Sequence, residues 1–145
     1  MVAEIIIASD HAGVELKSKI KEVYGSDNRN FTDLGPFDTT SVDYPDYAHP
    51  LAVQVSQKAS LGILICGSGN GVCMTANKYN NIRAALCWEV SLAELAKQHN
   101  NANVLCLPAR FITEEKALDI VKAFLNTDFE GGRHGRRVDK IAHKQ

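Results

Sequence analysis

The run from Leu61 to Gly71 constrains the fold of this chain more than any other stretch of its sequence. Apolar residues at 63–65 predict a short buried strand, and three glycines at positions 67, 69 and 71 follow it within a tight loop. The spacing of apolar residues from Val72 to Lys78 is compatible with a helix. A strand, a glycine-rich loop and a helix N-terminus form an anion-binding unit, because unpaired N–H groups and the positive end of the helix dipole converge there.

Two side chains in this unit indicate chemistry beyond anion binding. Cys66 ends the strand, and Ser68 lies inside the loop. The positive end of a helix favours a thiolate, and a thiolate can act as a base or as a nucleophile. A nucleophilic thiol also needs a histidine beside it, for which His11 and His99 are the candidates. The sequence therefore predicts a reaction in which negative charge develops beside this loop and a sulfur takes part.

Composition and charge exclude several classes of protein. With 145 residues, the chain is long enough for one domain, and we predict a single domain over residues 1–145. A formal net charge of −1 gives no overall field that attracts nucleic acid or an anionic membrane. We find no apolar run near ~20 residues and no secretory signal, so we expect no membrane association. The four cysteines lack C-x-x-C spacing, and we interpret them as reduced thiols of a cytoplasmic protein.

Short apolar runs alternate with helical patterns along the whole chain, which is typical of an α/β protein. This alternation favours a five-stranded parallel sheet covered by helices on both faces. Thr113 is the expected N-cap of one helix, with two glutamates in the first turn. The predicted strands are 4–9, 31–34, 63–65, 83–88 and 104–107, and the predicted helices are 16–24, 46–58, 72–78, 91–98, 114–125 and, as an extra C-terminal helix, 133–143.

The polar residues just after the predicted strands are the first candidates for a site, because ligands of parallel sheets bind beyond the carboxyl ends of the strands. They are Asp10 and His11 after the first strand, the 66–71 loop after the third, and Arg110 after the fifth. A second candidate group is the basic helix, where Arg133 and Arg137 are four residues apart and share one face. Two guanidinium groups on one face suit a phosphate dianion, but they are too few for a nucleic-acid groove.

The glycine loop on its own leaves other interpretations open. Its spacing is G-x-G-x-G, and no Gly-Lys-Ser/Thr follows, so it is not a P-loop. A dinucleotide site or a non-catalytic nucleotide-binding module remains open, because Glu89 follows the next strand about 20 residues on, where a ribose-binding acid is expected. A plain tight turn also remains open. Metal binding has little support, since His, Cys and Asp do not occur with ligand spacing.

Four segments of the chain occur in a specific combination. They are Ser9–Gly13 (SDHAG), Asp43–Asp46 (DYPD), Cys66–Gly71 (CGSGNG) and Arg133-His134 with Arg137. Together they resemble ribose-5-phosphate isomerase of the B type, and the resemblance spans almost the whole chain. It implies a three-layer α/β/α Rossmann-like fold and the interconversion of D-ribose 5-phosphate and D-ribulose 5-phosphate in the non-oxidative pentose phosphate pathway. It also implies no metal, no organic cofactor, and a homodimer or dimer of dimers with active sites between subunits.

The resemblance further implies a role for each matching residue. Cys66 is the base that moves a proton between C1 and C2, and His99 is the acid that opens the furanose ring. One branch of the family places a glutamate base just after the glycine loop, but Val72 occupies that position here, so the chain belongs with the cysteine branch. The enediolate oxygen is held by Ser68 and the N–H groups of Gly67, Gly69, Asn70 and Gly71. The sugar is bound by Asp10, His11, Tyr44 and Asn100. The phosphate is bound by Arg110, Arg133 and Arg137, with His134 nearby.

A sister activity within the same family remains open on the sequence alone. Galactose 6-phosphate and allose 6-phosphate carry one more carbon than ribose 5-phosphate. The distance from Cys66 to the phosphate-binding arginines therefore determines which substrate fits.

Overall fold

The core of the protein is one five-stranded parallel sheet, seen in a computed structural model that describes residues 3–25 and 29–143. The strands are β1 (Ala3–Ser9), β2 (Arg29–Asp33), β3 (Leu61–Cys66), β4 (Ala84–Leu86) and β5 (Val104–Pro108). The order across the sheet is β2-β1-β3-β5-β4, and every neighbouring pair of strands is parallel. The parallel sheet predicted from the alternating pattern is thereby confirmed.

Helices cover both faces of the sheet and complete the expected three layers. The helices are α1 (Val14–Tyr24, after a short 3-10 turn at His11–Gly13), α2 (Pro45–Lys58), α3 (Asn70–Ala76), α4 (Val90–Asn100), α5 (Glu114–Asn126) and α6 (Arg133–Asp139). Successive side chains of a strand point to opposite faces, so Ile5 and Ile7 pack with α1, α4 and α5, whereas Ile6 and Ala8 pack with α2 and α3. Helix α6 contacts the outer helix α4.

The structure corrects several predicted boundaries. The basic C-terminal helix ends at Asp139 instead of residue 143, because the N–H groups of Lys140 and Ile141 turn back to carbonyls three residues earlier. Helix α4 does not fray at His99 but continues through Asn100, since Asn101 adopts a left-handed conformation and its N–H caps the helix. Strand β4, at the edge of the sheet, is three residues long and shorter than predicted.

The order of the strands determines where a ligand can enter. After β1 the chain passes to β2 on one side, and after β3 it passes to β4 on the other side. A crevice therefore opens between the carboxyl ends of β1 and β3, at the point where the winding reverses. Asp10 and Cys66 lie at this crevice. Across residues 3–25 and 29–143, none of the helices combines the length and apolarity required to span a bilayer.

Candidate active site

Cys66 ends β3, and the glycine loop predicted as an anion site begins directly after it. The side chain is 5% exposed and lies on the sheet face covered by α2 and α3. The backbone N–H of Gly69 donates a hydrogen bond to Sγ at 3.2 Å. Gly69 has φ of 76°, a left-handed conformation that glycine adopts without a steric penalty. This backbone conformation directs the N–H of the loop at the sulfur, which accepts it.

Two side chains lie directly over the loop at the positions of its other glycines. A Cβ added to Gly71 would lie 2.5 Å from ring atoms of Tyr44, and one added to Gly67 would lie 3.1 Å from Nη1 of Arg110. The backbone of Arg110 is tied to the same loop, since its N–H donates to the carbonyl of Gly67 at 3.0 Å. The glycines are therefore required for close approach. Tyr44 and Arg110, both predicted site residues, join the loop.

Asp10 and His11 lie next to the same loop. The N–H of Asp10 donates to the carbonyl of Ile65 at 3.0 Å, which ties the end of β1 to β3. Oδ1 of Asp10 accepts a hydrogen bond from the N–H of Ala12 at 2.9 Å. Nδ1 of His11 accepts a hydrogen bond from the N–H of Val42 at 3.2 Å. Because neutral imidazole has one donor and one acceptor, the proton of neutral His11 is on Nε2.

The loop donors complete this first group. Ser68 and Asn70 are both exposed, and Oγ of Ser68 accepts a hydrogen bond from the N–H of Asn70 at 3.3 Å. Helix α3 begins at Asn70, so the loop passes into the helix without a further turn. The predicted residues that the structure brings together at the carboxyl edge of the sheet are Asp10, His11, Tyr44, Cys66, Gly67, Ser68, Gly69, Asn70, Gly71 and Arg110.

The remaining predicted site residues form a second group at the opposite edge of the sheet. His99 and Asn100 end α4, a few residues before β5 begins at Val104. Cys66 pairs with Pro108 at the other end of β5. Four steps of ~3.3 Å along this strand separate the two edges by about 13 Å. His99 and Asn100 of one protomer therefore do not reach Cys66 of the same protomer. Helix α6, which carries Arg133, His134 and Arg137, lies beside α4.

His99 and His134 stack on each other within the second group. Their ring centroids are 4.2 Å apart, and the ring planes differ by 9°. Oε1 of Glu130 lies 3.6 Å from Nε2 of each ring. Partial burial, followed by His99 and Arg133, lowers the pKa of His134, while Glu130 acts in the opposite direction. The neutral form of His134 is therefore favoured beside His99 and Arg133.

Glu130 is a candidate functional residue that the sequence interpretation missed. It directly precedes the glycine pair at 131–132 and lies four residues before His134, which was the available signal. The ligand atoms of His99, Glu130 and His134 all lie within 4.8 Å of one another, so these residues could hold a metal ion. Imidazole lone pairs lie in the ring plane, and in stacked rings they run parallel instead of converging. One ring would have to tilt before both could bind the same ion.

The other cysteines have environments unlike that of Cys66. Burial raises the pKa of Cys87 to about 12, and burial also raises the pKa of Cys106 well above its ordinary value. A hydrogen bond with Cys106 lowers the pKa of Cys73, against the effect of burial. Sγ of Cys73 lies 3.5 Å from the carbonyl of Ala84, on α3 and outside the glycine loop. Cys66 is thus the cysteine whose sulfur receives a loop N–H.

The position of Glu89 removes the support for a dinucleotide site. Its Oε2 lies 2.8 Å from Nζ of Lys116, so the carboxylate is paired within the protein. Glu89 follows β4, and β5 lies between β4 and β3 in the sheet. A ribose bound at the glycine loop would therefore have to compete with Lys116 for this acid.

Comparisons with known proteins agree with this arrangement. Residues 5–141 match the family model described as Ribose/Galactose Isomerase. The chain is 51% identical over 145 residues to a probable ribose-5-phosphate isomerase B of Mycoplasma genitalium, covering 97% of this chain and 95% of that protein. The crystal structure of ribose-5-phosphate isomerase B from Mycoplasma genitalium with bound ribulose-5-phosphate has a TM-score of 0.94 and 50% identity, covering 98% and 95% of the two chains. The ribose 5-phosphate isomerase of Thermotoga maritima has a TM-score of 0.93 and 48% identity, with 97% of each chain covered. The chain therefore belongs to the ribose/galactose isomerase family, as its four sequence segments predicted.

Proposed function

We propose that this protein is an aldose–ketose isomerase that interconverts D-ribose 5-phosphate and D-ribulose 5-phosphate, with residues 1–145 acting as one isomerase domain. The observation that carries the proposal is the buried Cys66 sulfur that accepts the Gly69 N–H. It occurs in a chain 50% identical to an isomerase crystallised with ribulose-5-phosphate. The reaction belongs to the non-oxidative pentose phosphate pathway, and the free cysteines suit a reducing cytoplasm.

Cys66 is the proposed base of the isomerisation. Its thiolate removes the proton from C2 of the open-chain aldose, which gives an enediolate with negative charge on O1. A proton then moves from O2 to O1, and the Cys66 thiol returns its proton to C1, which gives the ketose. A positioned base of this kind contributes about 10²–10⁴-fold in rate.

The glycine loop is the proposed site of the developing oxygen charge. Ser68 is exposed two residues after Cys66, and the loop N–H groups of Gly69 and Asn70 donate to the Cys66 sulfur and to the Ser68 hydroxyl oxygen. Donors fixed in place before the reaction stabilise an enediolate without reorganisation, and one such donor is commonly worth about 10²–10³-fold in rate. Asp10, His11 and Tyr44 adjoin the loop and are the proposed ligands of the sugar hydroxyls.

Ring opening and phosphate binding are proposed to need a second copy of the chain. His99 and Asn100, with Arg133, His134 and Arg137, lie at the edge of the sheet opposite to Cys66. This separation supports a homodimer in which the His99 group of one protomer faces the Cys66 loop of its partner. His99 then donates a proton to the furanose oxygen, and the arginines of both protomers, Arg110 included, bind the phosphate. Phosphate contacts far from C1 and C2 orient the reacting carbons.

The test is an assay of ketose formation from ribose 5-phosphate, galactose 6-phosphate and allose 6-phosphate. The protein should be purified from a host without its own ribose-5-phosphate isomerases, with Cys66→Ala prepared in parallel as the background control. We expect the highest kcat/KM for ribose 5-phosphate. A higher kcat/KM for either hexose phosphate would show that this hexose phosphate is the substrate instead of ribose 5-phosphate. Nucleotide binding without turnover of any sugar phosphate would show that the protein is a nucleotide-binding module and not an isomerase.

A further inference from the structure

Lys17 of α1 is buried, although charged side chains are rarely buried unless they are paired. It is 1% exposed. Its ammonium lies 2.8 Å from Oδ1 of Asp33, donates to the carbonyl of Pro36, and lies 5.0 Å from the ring centroid of Phe37. All three partners belong to the end of β2 and the segment that follows it. Lys17 thus joins α1 to the start of that segment.

Asp33 is the centre of this cluster. Its Oδ1 also accepts the N–H of Gly35 at 2.8 Å, and its Oδ2 accepts a hydrogen bond from Lys21 at 2.9 Å. Burial alone would raise the pKa of Asp33, but the hydrogen bonds from Lys17, Gly35 and Lys21 together lower it. The carboxylate therefore remains charged and holds the backbone at Gly35 in place.

The segment that follows, residues 34–44, is irregular and ends at the candidate active site; we refer to it as the 34–44 loop. Near its end, the N–H of Val42 donates to Nδ1 of His11. At its end, the ring of Tyr44 lies against Gly71. The cluster around Asp33 anchors the beginning of the 34–44 loop, and the other end supplies two contacts to residues of the site.

We propose that Lys17 and Asp33 are positioning residues for the isomerisation, acting through the 34–44 loop on His11. They hold the Val42 N–H on Nδ1 of His11, so that Nε2–H of His11 is presented to the substrate as a donor. Loss of the anchor releases Val42, and neutral His11 then exchanges between its two tautomers, one of which presents no donor at Nε2. The effect on activity rests on the proposed function, whereas the tautomer of His11 does not.

The experiment compares Lys17→Met with Lys21→Met. The ammonium groups of both lysines bond to Asp33 from the same helix. In the described part of the chain, the ammonium of Lys21 bonds to Asp33 alone, whereas that of Lys17 also contacts Pro36 and Phe37. The measurements on full-length protein are the ¹⁵N shifts of the His11 ring, hydrogen exchange at the Val42 amide, and kcat and KM for ribose 5-phosphate.

In Lys17→Met we expect mixed His11 tautomers, faster exchange at Val42, and kcat/KM lower by about 10–100-fold, as for a displaced contact group. Lys21→Met should keep the wild-type tautomer and kcat/KM. Equal losses in both variants, or an unchanged His11 tautomer in folded Lys17→Met, would overturn the proposal. If Lys17→Met does not fold, Val42→Pro removes the N–H and leaves the cluster around Asp33 intact. Wild-type ring shifts and kcat/KM in Val42→Pro would overturn the proposal as well.

The two proposals can fail separately. If wild-type protein converts no sugar phosphate, the proposed function fails, while the ring shifts and amide exchange still test the positioning role. If wild-type protein is active and Lys17→Met keeps a single tautomer, only the positioning role fails.

Discussion

The backbone N–H of Gly69 donates a hydrogen bond to Sγ of Cys66 at 3.2 Å, so the sulfur occupies one N–H group of the loop. This bond requires the left-handed backbone of Gly69, three residues after the cysteine. The geometry of the loop and the hydrogen bonding of the sulfur are therefore linked. A change that moves the loop alters the thiol, even where the cysteine itself is untouched.

Replacing Cys66 by alanine should abolish isomerisation and preserve the fold. The loss of a base predicts a decrease in kcat of about 10²–10⁴-fold. Cys66→Ser should be nearly as inactive, because a hydroxyl is far too weak a base at neutral pH. Steady-state kinetics, with phosphate-ester binding measured by calorimetry as a control, test this. Retention of more than a tenth of wild-type kcat in Cys66→Ala would contradict the assignment of the base.

Replacing Gly69 by alanine should lower both stability and activity. Alanine in a left-handed conformation costs roughly 1–2 kcal/mol. The new Cβ would also clash with Cδ1 of Leu86 and lie 3.2 Å from the carbonyl carbon of Leu107. Gly135→Ala is the matched control in denaturant unfolding, because open space surrounds that position. Equal unfolding free energies for the two variants would show that the loop does not need its glycine.

Replacing His99 by asparagine should discriminate between cyclic and acyclic substrates. If His99 only opens the ring, the variant loses activity on ribose 5-phosphate but keeps activity on erythrose 4-phosphate, which cannot form a furanose. The ratio of the two kcat/KM values measures the effect. Equal losses on both substrates would assign a different role to His99.

Replacing Arg137 by alanine should weaken the phosphate site of the partner protomer. The loss of one charge-assisted bond to phosphate costs about 1.5–3 kcal/mol, or roughly 10–150-fold in kcat/KM. Mixing Cys66→Ala and Arg137→Ala homodimers tests the sharing, because a mixed dimer holds one site with both defects and one with neither. Complete exchange of equal amounts should restore about a quarter of wild-type activity. No recovery after exchange verified by mass spectrometry would mean that Arg137 serves its own protomer.

Asp33 should make the protein less stable in acid. Its pKa is lowered in the folded state from an ordinary value of 3.8, so the unfolded chain binds a proton more readily. The ionised Asp33 therefore stabilises the folded state at pH values above its ordinary pKa. This stabilisation is lost as the pH falls through the lowered pKa of the folded state. Unfolding free energies measured across this range should depend less on pH in Asp33→Asn than in wild type. Asp119→Asn, at an exposed position on α5, is the control for the removal of one carboxylate.

Local sequence patterns predicted the elements of the fold and one half of the candidate site. The run of apolar residues before Cys66 marks a buried strand, and the glycines after it mark a loop, because both properties depend on neighbouring residues. Thr113 was predicted as an N-cap in the same way, and its Oγ1 accepts the N–H of Lys116 at 3.1 Å. The order of the strands could not be predicted, since it depends on contacts between distant segments.

The two candidate histidines differ in their position relative to the strands. On the sequence, both His11 and His99 were candidates to lie beside Cys66, and His11 was the better placed because it directly follows a strand. Because all strand pairs are parallel, His11, which follows β1, lies at the edge of Cys66, and His99, which precedes β5, lies at the other edge. Neither Glu130 nor Lys17 was identified, because their roles depend on what they contact across the fold, and their types and spacing are ordinary for exposed residues.

The separation of Cys66 and His99 across the sheet also bears on how much activity a given amount of protein yields. If each chain holds half of two sites, turnover follows the number of associated pairs, not the number of chains. Specific activity then falls on dilution towards the dissociation constant of the pair, and a substrate that bridges both chains opposes this by mass action. In such a shared-site dimer, the abundance of the protein is a determinant of its own catalytic rate.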